Sequence, residues 1–567
     1  MTSKTGRFLT KFRSVGMGAA LVLVIWFATA IASPAQTFTI LHAFDGTDGT
    51  MPNGLVQGID GNFYGTTGYG GGSSCGLGYG GCGTAFKITP SGTLTIGHHF
   101  TGTDGSVPLR GLVLSPGGNF YGITVFGGAN HCDVYGWGSV GCGTVFEITP
   151  TGKLTTLHSF DSTDGEEVYG LIGASNGNFY GTTASGGTLG YGTAFEITPT
   201  GTLTTLHSFD YTDGENPEGQ LVQGTDGNFY GTTYVGGASG AGTVFKITPV
   251  GKLTTVFDFC SQTNCTDGAN PTAGLMQATD GNLYGTTGFG GGGNAGTVFK
   301  ITRAGALTTL YSFCSEDGCT DGANPGYELV QGTDGNFYGT TGWGGAGGYG
   351  TLFEITPAGV LTTLHAFSTA DGYLNRVGLL QGTDGKFYGT TEIGGPLGSG
   401  TIYTFDNGLG PFVSFLRNQA RVGETFGILG QGLTGASSVS FNGTPATFTV
   451  LKDTFLTAVV PAGATTVPVT VTTPGGVLTS NKAFRVTPQV LSFNPSSGPA
   501  GTVVTITGVS LTQTTIVGFG NYVPANFTVN SDTQVTATVP TGAKTGVVGI
   551  QTAGGTGISS AAFTVTQ

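Results

Sequence analysis

Asp226-Gly227-Asn228-Phe229-Tyr230-Gly231-Thr232-Thr233 is the stretch on which the reading of this chain turns. It opens with turn residues that tolerate positive φ and runs into aromatic and β-branched residues suited to a strand. The phrase returns around Tyr64, Tyr121, Tyr180, Tyr284, Tyr338 and Tyr388, at intervals of 50 to 59 residues. A period of that length, rich in strand formers and turn glycines, marks a propeller-like array with one sheet per copy.

Outward from the phrase, one repeat reads as four antiparallel strands. Leu221-Val222-Gln223 precedes the hairpin turn, and Phe229 to Thr233 returns from it. A Gly-rich loop, Gly236-Gly237-Ala238-Ser239-Gly240, leads to a third strand, Gly242-Thr243-Val244-Phe245-Lys246-Ile247-Thr248, by its alternation. Pro249-Val250-Gly251 turns into a fourth at residues 253–259. The third-strand phrase also occurs seven times, starting at Gly83, Gly143, Gly192, Gly242, Gly296, Gly350 and Gly400. The fourth-strand phrase follows it only six times and is missing after Asp406. Its absent copy stands near the N-terminus, as Thr37-Phe38-Thr39-Ile40-Leu41-His42-Ala43-Phe44. Because an open ring exposes two sheet edges, the expected fold is all-β: a seven-bladed propeller over residues 36–409 whose N-terminal strand closes the last blade.

The chain has 567 residues, of which 9% are charged, 38% hydrophobic and 108 glycine. Glycines at fixed repeat positions read as turns in an ordered β protein rather than as low complexity. Residues 1–35 read as a secretory leader. Lys4, Arg7, Lys11 and Arg13 precede an apolar stretch from 17 to 32, and small residues Ser33 and Ala35 follow. That stretch is short for a spanning helix, which needs about 20 residues, and no other stretch is apolar enough to span. Removing four basic residues takes the formal charge from −13 to −17. Nucleic-acid binding, which needs clustered Lys and Arg, is excluded on that ground.

Eight cysteines fall as near neighbours: Cys75 with Cys82, Cys132 with Cys142, Cys260 with Cys265, and Cys314 with Cys319. In a secreted chain these read as four local disulfides; the spacing is wrong for a zinc site.

With the repeated phrases in view, residues 37–406 resemble the GloVer tandem repeat of bacterial secreted choice-of-anchor proteins. The resemblance implies an extracellular or cell-surface location and no established activity. Members often end in a sorting segment, whereas this sequence ends within a strand at residues 563–567, so no anchor is expected. Beyond Asn407 the composition shifts to Val, Thr and Ala. Pro488-Gln489-Val490-Leu491-Ser492-Phe493-Asn494-Pro495-Ser496-Ser497-Gly498-Pro499-Ala500-Gly501-Thr502 resembles the opening of an IPT/TIG domain, an immunoglobulin-like sandwich. A divergent copy runs from Val413-Ser414-Phe415 through Gly423-Glu424-Thr425-Phe426. Two sandwiches are therefore expected, at 410–487 and 488–567.

No catalytic set stands out. His42, His98, His158, His207 and His365 share a fourth-strand position held by Phe257 and Tyr311 in the other copies, so the position reads as packing. Strand alternation puts this ring on one face with Leu253 and Phe259. Asp48, Asp104, Asp164, Asp213, Asp267, Asp321 and Asp371 precede glycine and read as turns; calcium is the alternative at oxygen-rich loops such as 161–167. Sevenfold repetition singles out no carboxylate pair for glycoside hydrolysis.

Variation gathers in the loops of one face: every cysteine, every length change and His131. Those loops carry Tyr69, Phe126, Phe289, Tyr135, Trp137 and Trp343, rings suited to stacking on sugars. The function expected is a secreted, monomeric, non-enzymatic binding protein, with no cofactor, that recognises a glycan or surface polymer through that face. The alternatives are an extracellular carbohydrate-active hydrolase or lyase with acidic residues in the funnel, and an adhesin that contacts another protein.

Overall fold

The computed structural model describes residues 36–72, 75, 80–134, 138–375, 377–520 and 522–567. The leader, Tyr135 and Trp137 lie outside the described residues. Residues 36–567 form one compact unit, and the described secondary structure is almost entirely strand.

Each repeat has its own sheet, and sheet order follows chain order in four-stranded blades such as Val222–Gln223, Phe229–Thr233, Thr243–Ile247 and Leu253–Asp258. The hairpin turn is fixed by Gly224 N–H donating to the Asn228 carbonyl at 2.8 Å. Gly227 takes φ +83°, which its lack of a Cβ permits. The sheet of Leu380–Gln381, Phe387–Thr391 and Thr401–Asp406 gains its fourth strand from Thr37–Ala43, with Thr37 opposite Asp406 and Ala43 opposite Thr401.

A β-bulge recurs between the third and fourth strands of every repeat. Val244 pairs with Phe257 and Phe245 with Thr255, so Val256 is the extra residue. The bulge corrects the alternation expected for the fourth strand. The ring at Phe257 still contacts Phe259, at 5.4 Å between centroids, but it no longer lies on the side of Leu253.

Neighbouring sheets join through a ladder of repeated contacts. Tyr180 stacks on Phe229 of the next repeat at 4.0 Å, as Tyr64 does on Phe120, Tyr121 on Phe179, Tyr284 on Phe337 and Tyr338 on Phe387. The same contact brings Tyr388 to Phe63, at 4.0 Å. Glutamines of the inner strands accept the turn N–H of the preceding repeat: Gln277 from Thr225, Gln331 from Thr279 and Gln381 from Thr333. Gln57 accepts from Thr383 in the same way, at 3.0 Å.

The phenol of each phrase finds a carboxylate. Tyr230 donates to Asp226 and Tyr284 to Asp280. Where the phrase lacks its aspartate, a third-strand glutamate takes over: Tyr121 donates to Glu147 and Tyr180 to Glu196. Burial, reinforced by Glu147, pushes the Tyr121 phenol up to about 12, so it remains a donor.

The C-terminal part is two β-sandwiches. In the first, the strands Ser414–Phe415, Thr425–Leu429, Phe455–Val459 and Phe448–Lys452 face a second sheet across a core of Phe426, Leu456, Val469 and Phe484. In the second, pairing runs continuously through eight strands around Val504, Ile506, Phe519 and Phe563.

Candidate ligand-binding face

Two repeating devices hold the loops of the variable face. The first is a threonine pair at the rim of each sheet. Thr287 Oγ1 lies 2.9 Å from Thr297 Oγ1 and donates to the Phe289 carbonyl, which fixes the start of the Gly-rich loop. The second is a histidine–aspartate pair six residues apart. His42 Nε2 lies 2.7 Å from Asp48 Oδ2, and His98, His158, His207 and His365 meet Asp104, Asp164, Asp213 and Asp371 at 2.7 to 3.3 Å. The expected packing position is thus also a hydrogen-bonding one.

Where the histidine is absent, the loop is held differently. Asp267 accepts from Ser261 N–H and Oγ, and Asp321 accepts from Ser315 and Tyr311. Both loops are closed by disulfides, Cys260–Cys265 and Cys314–Cys319. The other two expected disulfides, Cys75–Cys82 and Cys132–Cys142, are present as well. Among the described residues, no three His, Cys, Asp or Glu side chains gather as a metal-binding group.

The candidate aromatic residues divide by environment. Phe289 is 44% exposed and Trp343 50% exposed, at matching positions of adjacent repeats. Each is tied by a backbone bridge to the loop entering its sheet, Phe289 to Ala269 and Trp343 to Ala323. Phe126, at the same position of the second repeat, is 7% exposed and packs with Val107, Val125 and Val168. Its ring is core, so the structure removes it from the presented set. Tyr69 is half-buried against that same cluster, and His131 is exposed.

Sequence reasoning did not find a second group on the loops that enter the inner strands. Arg110, from the second repeat, sits with its guanidinium carbon 5.6 Å from the ring centroid of Tyr169 in the third. Its Nη2 donates to the main-chain carbonyl of Glu218, at the entry to the fourth repeat, at 3.2 Å. The Arg110 Nε is buried without a partner. Burial raises the Glu218 carboxyl, Arg110 opposes that rise, and the like charge of Glu167 adds to it. Glu167 is raised mainly by burial, against a hydrogen bond from Ser185 Oγ at 3.3 Å.

These loops share a strained turn. Met51, Val107, Glu167, Asn216, Asn270, Asn324 and Leu374 all take φ between 53° and 57°. Asparagine tolerates that region, whereas Val107, which is β-branched, is strained in it by ~1–3 kcal/mol. Inward of this turn the chains crowd together. A Cβ on Gly54 would stand 3.3 Å from the Gly111 Cα, and one on Gly170 would stand 3.1 Å from the Gln220 Cα.

The opposite face is occupied by the first sandwich. Thr454 Oγ1 donates to the Ile59 carbonyl, Gln431 Nε2 to Thr383 Oγ1, and Arg485 Nη2 to the Thr225 carbonyl. Inner strands and sandwich together line a cavity of about 330 Å³, with Val56, Leu114, Ile172, Leu380, Phe415 and Leu429 on its wall.

Residues 28–136, 132–320 and 317–444, more than half of the chain, match the Gloeobacter/Verrucomicrobia repeat. The chain belongs to this repeat family. Residues 412–486 and 488–566 match the IPT/TIG domain. No curated protein matches the chain. Among solved structures, a fungal alcohol oxidase of the AA5 family in complex with copper is 12% identical, covers 94% of this chain and 99% of its own, and has a TM-score of 0.41. A putative 6-phosphogluconolactonase from Bacteroides fragilis is 18% identical over 55% of this chain and 82% of its own, with a TM-score of 0.35. A surface glycan-binding protein from Prevotella bryantii is 19% identical over 27% of this chain and 38% of its own, with a TM-score of 0.21. At these scores the likenesses fix neither ligand nor activity in the repeat protein.

Proposed function

We propose that this repeat protein is an extracellular, non-enzymatic binding protein that recognises a glycan or surface polymer through the loop face of a closed seven-bladed propeller. The observation that carries the reading is the pair Phe289 and Trp343: large rings, half exposed, on adjacent repeats of a rigid rim. Exposed aromatic faces with little surrounding charge suit stacking on sugar rings. The first sandwich covers the other face, which leaves the loop face free for a ligand. Ring closure is supported by the Tyr388–Phe63 stack and the Gln57–Thr383 bond, which repeat at the ends of the array what joins its interior. Four disulfides fit an oxidising, extracellular compartment.

The non-enzymatic reading draws on the work of the repeated carboxylates. Asp226 and Asp280 hold phenols, while Asp48, Asp164 and Asp213 hold histidines and turn N–H groups. The test is a glycan array probed with residues 36–567. Binding that Phe289→Ala and Trp343→Ala each weaken at least ~10-fold, the equivalent of 1.4 kcal/mol, supports the reading. Binding unchanged in both variants refutes the stacking face, and release of shortened product from a bound glycan moves the protein to the hydrolases.

A further inference from the structure

The inner strands of five repeats carry a glutamine that the second and third repeats lack. Gln57, Gln223, Gln277, Gln331 and Gln381 each accept a turn N–H from a neighbouring repeat. Leu114 and Gly173 hold the same position, opposite Phe120 and Phe179 as Gln223 is opposite Phe229. The turn that Gly173 would serve carries Pro116, which has no N–H to give. That removes the need for glutamine without calling for glycine. The φ of Gly173 lies outside the left-handed region, and a Cβ there would meet Val113 Cγ1 at 3.5 Å, an ordinary contact. Leu114 and Gly173 both stand on the wall of the cavity of about 330 Å³ between the inner strands and the first sandwich. The two repeats that give up the shared amide are thus the ones that open and depolarise this cavity.

The wall sets the chemistry of what fills it. Val56, Val113, Ile172 and Leu380 line it half-buried from the repeats, and Phe415 and Leu416 line it half-buried from the sandwich. Apolar side chains that keep accessible surface inside a folded unit gain by contact with a nonpolar molecule. Among the described residues no charged side chain lines the cavity, so an ion would enter without a counter-charge. Gln57 and Gln381 already use both ends of their amides on neighbouring repeats. Gln220 donates through Nε2 to the Leu171 carbonyl at 2.7 Å, which leaves its Oε1 as an acceptor. A sugar would leave most of its hydroxyls unpaired on such a wall. An apolar cavity of ~150 Å³ takes one benzene, so 330 Å³ suits roughly twelve non-hydrogen atoms. We propose that this cavity binds a medium-chain or aromatic alcohol, with its hydrocarbon body on the aliphatic wall and its hydroxyl donating to Gln220. The site is separate from the Phe289 and Trp343 surface and does not rest on the glycan reading.

The test is isothermal titration of residues 36–567 at pH 7 with 1-octanol and 2-naphthol, and with octanoate, 2-naphthoate and cellobiose as controls. Gly173→Gln fills the cavity, and Leu114→Gln puts an amide into its wall. Each variant restores the residue that five repeats carry, so both are expected to melt within ~2 °C of the parent. The expected result is binding of at least one alcohol, with the carboxylates and cellobiose at least ~10-fold weaker. Gly173→Gln is expected to weaken alcohol binding at least ~10-fold and Leu114→Gln at least ~3-fold, while Trp343→Ala leaves it unchanged. Should Gly173→Gln fail to fold, Leu114→Gln decides alone. Alcohol binding within ~2-fold of the parent in the folded variants overturns the site. Loss of alcohol binding in Trp343→Ala puts the alcohol on the loop face and overturns the site equally. A carboxylate or cellobiose that binds as tightly as the alcohols overturns the ligand class. If neither alcohol binds up to its solubility limit, the proposal falls and the cavity holds solvent only. Glycan binding on the array is unaffected by any of these outcomes, so the two readings stand or fall separately.

Discussion

Replacing Phe44 by alanine tests whether the N-terminal strand is part of the ring or an appendage to it. Phe44 is 0% exposed and packs with Phe63, Phe86 and Ile88 of the first repeat and with Tyr388 and Ile402 of the last. Its N–H donates to the Gly400 carbonyl at 3.0 Å. Phe209 has the same surroundings inside the array: 0% exposed, with its N–H on the Gly192 carbonyl at 3.0 Å. A fully buried Phe→Ala change costs ~3–5 kcal/mol through lost transfer energy and the cavity left behind. Closure therefore predicts equal losses for Phe44→Ala and Phe209→Ala, each within that range. The assay is guanidinium unfolding followed by tryptophan fluorescence. In residues 36–567 the two tryptophans, Trp137 and Trp343, both belong to the repeats, so the signal reports the propeller without the sandwiches. A loss under ~1 kcal/mol for Phe44→Ala beside a full loss for Phe209→Ala would refute closure, because a dispensable strand cannot be holding two repeats together.

Two further perturbations address how individual repeats are fastened. Cys260 and Cys265 are five residues apart, and the chain entropy of so short a loop sets the cost of a Cys260→Ser, Cys265→Ser double change at about 2 kcal/mol, measurable in the same unfolding assay. The Asp280 carboxyl is held at about 2: burial raises it, and hydrogen bonds from Asn282, Lys300 and Tyr284 outweigh that rise. A folded value below the ordinary 3.8 means that its stabilisation is full above pH 3.8 and is lost as the pH falls towards 2. Asp280→Asn is expected to flatten the stability profile across that window, and a profile identical to the parent's would count against the assignment.

The fold was legible because its signal was repeated. The sheet of each repeat is written in every copy, and the displaced strand at 37–44 shows as the fourth-strand phrase that is missing after Asp406. The bulge at Val256 was not legible, since one inserted residue leaves the composition of the strand untouched while moving Phe257 to the other side. The histidine–aspartate bond leaves a signal in the sequence, a six-residue interval that recurs wherever the histidine does, and it shows only when the two residue types are read together. Phe126 shows the limit of reading exposure from position. It aligns with Phe289 and Trp343, yet a valine-rich neighbourhood closes over it.

The repeats also offer a way to separate scaffold from function that needs no second sequence. Departures from the common pattern fall into two kinds. Some are compensated: Phe257 and Tyr311 displace histidine, and Ser261, Ser315 and a disulfide in each loop take over the fastening. Pro116-Gly117 and Asn176 displace the hairpin aspartate, and Glu147 and Glu196 supply the carboxylate that the phenol needs. Compensation of that kind is what maintaining a fold requires, because an unpaired buried group is costly. Other departures have no such partner. Phe289 and Trp343 keep about half of their surface in water. Both rings stand at matching positions of adjacent repeats, where the proposed glycan would meet them.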